Sequence, residues 1–99
     1  MTNNNEQLIV DTIFNCIHVL NKERDMNDQI IASLDTYLFG ESSILDSLSL
    51  VSIIVDIETA ISDQFNIEIS LTDDKAMSAT PVPFTSVITL RDYIFKLIK

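Results

Sequence analysis

The chain is poor in the residues that interrupt structure and in those that do chemistry. Gly40 is its only glycine, and Pro81 and Pro83 are its only prolines. One glycine rules out a glycine-rich phosphate-binding loop, and so few breakers, with little strand-like alternation, favour helices throughout. Cys16 is the only cysteine, so no internal disulfide can form and a reducing compartment is expected. His18 is the only histidine; with one Cys and no ligand spacing, a zinc site is not expected. The acids of "DIETAISD" have neither the alternation nor the central glycine of a calcium loop. Tryptophan is absent, so the core must come from Ile, Leu and Val. No apolar run of membrane-spanning length is present, and residues 1–10 lack the basic start and apolar centre of a signal peptide. These absences lead to the expectation of a cytoplasmic protein without membrane insertion.

What is present is acid and aliphatic carbon. Fifteen Asp and Glu against six Lys and Arg give a net charge of −9, which argues against nucleic acid and anionic membranes as partners. Acidic surfaces suit basic partners, and complementary fields speed encounter more than they tighten binding, which points to brief meetings with other proteins. At 46% apolar residues the chain can fold, and 99 residues suit one domain, 1–99, expected to be a monomer.

Asn3 and Glu6 mark a helix start, after which Ile9, Ile13, Cys16, Ile17 and Leu20 share one face. That helix should end near "NKERDMND". A long connection, 29–46, follows, with Ile30, Ile31, Leu34, Leu38, Phe39 and Leu45 as apolar anchors. A second helix is predicted from Ser47 to Gln64, with Leu50, Ile53, Ile54, Ile57 and Ile61 as its core stripe. A short helix is expected near "TDDKAMSA", and "TPVPF" reads as a non-helical break. "TLRDYIFKLIK" reads as the last helix, with Thr89 and Asp92 at capping-box spacing and Leu90, Ile94 and Leu97 facing inward. The fold class is therefore all-α: a small four-helix bundle of three main helices and a short third one, with a long loop between the first two.

No catalytic constellation emerges. Cys16 falls on an apolar face, where it reads as a small buried hydrophobe, and His18 falls on the opposite, solvated face. The second helix is more informative. Leu48, Val51 and Val55 form a second apolar strip, bordered by Ser49 and Ser52 and extended by Thr59 and Ser62. One buried stripe is enough to join a bundle, so this strip either packs under the long loop or stays exposed as a contact surface. Ser47 stands at the head of that helix, where an attached phosphate would meet the positive end of the helix dipole. The plainer reading is that Asp46 or Ser47 is an N-cap.

The context of Asp46-Ser47-Leu48 adds to this. "LFGESSILDSLSLVSIIVDIE", followed by "FNIEISL" and then "PFTSVITLRDYI", resembles the acyl carrier protein family over residues 38–98. The resemblance implies 4′-phosphopantetheine on Ser47, transferred from coenzyme A by a phosphopantetheinyl transferase (a carrier-protein synthase). It implies Asp46 and Leu48 as recognition flanks. It implies a non-enzymatic role, in which acyl or aminoacyl groups ride as thioesters between loading, elongating and transferring enzymes. Val51 and Val55 match positions where the family meets its partners, and Leu48, Ser52 and Glu58 are counted in the same face. Family members of fatty-acid synthesis usually carry acids where this chain has Ser49 and Ser52, which suggests a specialised carrier. The competing expectation is an unmodified acidic helical module, with Ser47 only a helix cap.

Overall fold

In a computed structural model, which describes residues 4–40, 45–71, 78 and 82–98, three α-helices surround one aliphatic core. They are α1 (Asn4–Asn21), α2 (Ser47–Phe65) and α3 (Val87–Ile98), with 3-10 turns at Met26–Asp28 and Pro83–Thr85. The small all-helical domain expected from composition is what forms. Of the short helix expected at 72–79, only Ser78 is described, exposed and helical, so its extent lies outside the described residues. The Asn3 cap lies outside them too.

The helical periodicities decide what is buried. Ile9, Ile13 and Ile17 of α1, Ile57 and Ile61 of α2, and Val87, Leu90 and Ile94 of α3 are fully inaccessible to water. Fully burying one such side chain contributes roughly 1.5–3 kcal/mol, so this contiguous cluster is the main stabilising element. Leu20 and Leu50 pack against its edge. Leu97, expected inside, is 37% exposed, and in the last turn of α3 it is Ile98 that packs against the core.

Local chemistry sets the helix ends. α2 stops at Asn66, which takes the left-handed conformation (φ 54°), while the Ile67 N–H donates to the Ser62 carbonyl at 3.1 Å. Asparagine tolerates that conformation better than most residues, so it can do a glycine's work here. α3 begins two residues earlier than the sequence suggests. Ser86 is extended and its carbonyl accepts from Leu90 N–H at 3.0 Å, while Thr89 Oγ1 accepts from Ser86 N–H at 3.0 Å. The reciprocal cap is thus Ser86 with Thr89, not Thr89 with Asp92; Asp92 instead pairs with Arg91 at 2.7 Å. "TPVPF" contains a 3-10 turn in which Pro83 and Phe84 are buried.

The long connection is held by backbone bonds to the start of α3. Leu38 N–H donates to Thr85 O at 2.9 Å, Val87 N–H to Thr36 O at 3.0 Å, and Ile88 N–H to Leu34 O at 3.1 Å. Leu38 is fully buried and Ile30 nearly so, whereas Ile31 is 78% exposed and is no anchor. Phe39 meets Phe84 edge to face with ring centroids 5.6 Å apart. Among the described residues the connection therefore packs on the α3 side of the molecule.

Candidate functional site

The site is built at the head of α2. Asp46 is extended (φ −79°, ψ 173°), and its carboxylate accepts from Ser49 N–H at 2.7 Å. Its carbonyl takes the first intrahelical bond, from Leu50 N–H at 2.9 Å. Asp46 is therefore the N-cap and Ser47 the first helical residue. Of the two N-cap candidates that the sequence offers, Asp46 and Ser47, the cap is Asp46. Donation from the Ser49 backbone N–H, then from the Ser49 hydroxyl, holds the Asp46 carboxyl below the usual aspartate range, and Arg24 adds to the effect.

Arg24 comes from the turn after α1. Its Nε donates to the Asp28 carbonyl at 2.7 Å and its Nη1 reaches Ser49 Oγ at 3.4 Å. A half-buried guanidinium thus ties the turn to the head of α2. Sequence reasoning missed this residue. It lies in a polar run that reads only as a turn, and no spacing rule relates position 24 to position 49.

Below the head runs the second strip, and it is exposed. Leu48 is 80%, Val51 59% and Val55 50% accessible. Ser52 and Thr59 are exposed beside them and Ser62 is half-buried. At helical spacing these six residues form one face, and none is charged. The choice between packing under the loop and facing solvent is resolved in favour of solvent. Glu58 stands at the flank of this face. It is half-buried, and its Oε2 accepts from Leu71 N–H at 2.5 Å, so its carboxylate holds the segment after α2 in place.

The remaining reactive groups do not converge. Cys16 is buried; burial first, and the Asp56 charge second, push its thiol up to about 11. His18 is exposed on the other side of α1. Between α1 and α2 lies a crevice of about 420 Å³ whose lining includes Thr12, Cys16, Val19 and Asp56. The Thr12 hydroxyl lies 2.6 Å from the Gln64 side-chain amide across it. Among the described residues no group of three or more His, Cys, Asp or Glu side chains could hold a metal ion, and no helix is long and apolar enough to cross a membrane.

No family model, curated protein or solved structure matches the chain. Sequence and geometry alone define it as a small helical domain of the protein-interaction type, with one bare apolar helix face.

Proposed function

We propose that the chain docks partner proteins through the outer face of α2, and that it does so as a carrier bearing 4′-phosphopantetheine on Ser47. The observation that carries the docking is the strip itself. Three large aliphatic side chains, Leu48, Val51 and Val55, stay half or more exposed on a helix whose opposite stripe is already buried. Holding such a face in water gains the fold nothing, and patches of this kind mark contact surfaces.

The carrier half of the proposal rests on the resemblance of residues 38–98 and on where Ser47 falls. As the first residue of α2, directly after the Asp46 cap, it stands at one end of the docking strip. The neighbourhood suits an attached group: Asp46 is exposed and Leu48 is 80% accessible, so a transferase can approach the chain on both sides of the serine. In the transfer, the Ser47 oxygen forms a phosphodiester with the phosphopantetheine of coenzyme A. Adenosine 3′,5′-bisphosphate leaves, and the transferase takes the hydroxyl proton. When bound, the group supplies a terminal thiol for acyl or aminoacyl thioesters. The chain's own residues then do three things. Asp46 and its bond to Ser49 fix the start of α2, the strip seats the partner, and the aliphatic core keeps the helix rigid behind both. The serine needs no activating base of its own, because the transferase provides the catalysis.

An unmodified helical interaction module is the second reading, and the bare strip supports it better than it supports the carrier, since nothing in that face requires a prosthetic group. Intact mass separates the two. With coenzyme A and a broad-specificity phosphopantetheinyl transferase, the carrier reading expects the gain of one phosphopantetheine, absent in Ser47→Ala. No gain with several transferases leaves the unmodified module.

A further inference from the structure

The crevice between α1 and α2 belongs neither to the docking strip nor to the head of the helix. Cys16 and Val19 of α1 and Ala60 of α2 give it apolar walls. The Cys16 thiol, pushed up to about 11, stays protonated there and adds no charge. At one end the Thr12 hydroxyl donates to the Gln64 side-chain carbonyl at 2.6 Å, which ties the two walls together. Asp56 is the one acidic side chain among the described residues that line the crevice, and neither lysine nor arginine is among them. Both ion pairs formed among the described residues belong to Arg91, so Asp56 is in neither. Its charge helps to raise the Cys16 thiol, so the field of the carboxylate reaches into the crevice. Asn15, exposed on the α1 side, adds an amide oxygen as a further acceptor.

We propose that this crevice is a binding site for a small organic amine, with its apolar body against Val19 and Ala60 and its ammonium group on the Asp56 carboxylate. The volume of about 420 Å³ falls within the roughly 300–1,000 Å³ of small-molecule sites, and a mostly apolar lining with a few polar groups is their usual composition. An ammonium group carries three donors, which the Asp56 carboxylate and the Asn15 amide oxygen can accept, and a donor–acceptor pair in which both groups are charged is the stronger kind. An anion of the same shape meets no basic side chain in the lining and the repulsion of a molecule with a net charge of −9. A neutral ligand keeps the apolar contact and loses the charged one. The site does not depend on modification of Ser47, so it stands or falls apart from the carrier reading.

The test is a titration of the full unmodified chain with phenethylamine, followed by the backbone amide NMR signals at about 0.15 M salt, where the general field of the molecule is screened beyond about 8 Å. Phenethyl alcohol and hydrocinnamate serve as the neutral and anionic counterparts, and ethylamine as the amine without an apolar body. Phenethylamine should shift the signals around Asn15–Val19 and Asp56–Ala60 and bind about 5-fold or more tightly than each of the other three. Asp56→Asn should weaken its binding by about 5-fold, whereas Asp63→Asn, which removes one charge from the same helix outside the lining, should change it by less than about 2-fold. Both positions are exposed, and the melting temperature of each variant is measured first. Equal weakening by the two substitutions, or shifts spread over the acidic surface, overturns the proposal, because only the net charge would then be at work. Binding of the alcohol or the anion as tight as that of the amine overturns it on the wild type alone, whatever the variants do, and so does the absence of any shift.

Discussion

Asp46 is an exposed carboxylate with a defined task, and its protonation has a predictable sign. Its folded-state pKa lies below the unfolded value, chiefly because the Ser49 N–H donates to the charged form. Such a group contributes stability above its unfolded pKa and loses that contribution as pH falls through the folded one. The melting-temperature gap between the wild type and Asp46→Ala should therefore be complete at neutral pH. It should close as pH drops below 3.8, the ordinary aspartate value. Asp46→Asn, which keeps a capping oxygen, should retain much of the stability and show no such closure. Thermal melts across that range check both outcomes. Cys16 allows a second expectation at this scale. A buried thiol raised to about 11 has almost no thiolate at pH 8. Iodoacetamide should leave it untouched in the native protein and alkylate it in urea. In the proposed modified form, the only thiol to react natively should then be that of the prosthetic group.

The two faces of α2 differ in what they do, and substitutions should separate them. Ile57 is fully buried, and Ile57→Ala should cost about 2–5 kcal/mol through lost contacts and the cavity left behind. Val51 is 59% accessible, so Val51→Asp should move the melting temperature by no more than about 2 °C while lowering kcat/KM for Ser47 modification by ~10-fold. Equal loss of stability in both variants would mean that the strip is packed rather than presented. The sequence carried this division clearly, because a 3.6-residue repeat marks Ile53, Ile57 and Ile61 as one stripe and Leu48, Val51 and Val55 as another. Helix type and the start of α2 were legible for the same reason. What could not be read were the contacts between residues far apart in the chain. Thr89 looked like the cap of the last helix because an acid stands three residues on. The backbone bonds from Thr36 and Leu38 to the residues around Ser86 fix the start of α3 earlier. Arg24 on Ser49 and Glu58 on Leu71 N–H are of the same kind: each joins a loop to a helix by geometry that no local pattern encodes.

At the scale of the whole molecule, charge is the dominant unspent variable. Fifteen acids face six bases, and Arg91 supplies both of the ion pairs formed among the described residues, with Glu6 at 3.6 Å and with Asp92 at 2.7 Å. Pairs whose carboxylates are this accessible contribute little, so they do not offset the repulsion among the remaining carboxylates. Self-repulsion of this sign raises the free energy of the compact state relative to an expanded chain in which the charges stand farther apart. Salt screens it over a Debye length of about 10 Å at 0.1 M, well within the dimensions of the domain. The melting temperature should accordingly rise by several degrees between about 10 mM and 200 mM sodium chloride, most steeply at the low end. Arg24→Glu deepens the charge and should steepen that dependence; replacing exposed Asp63 with asparagine should flatten it. A melting temperature that falls with salt would mean that specific ion pairs outweigh the net field.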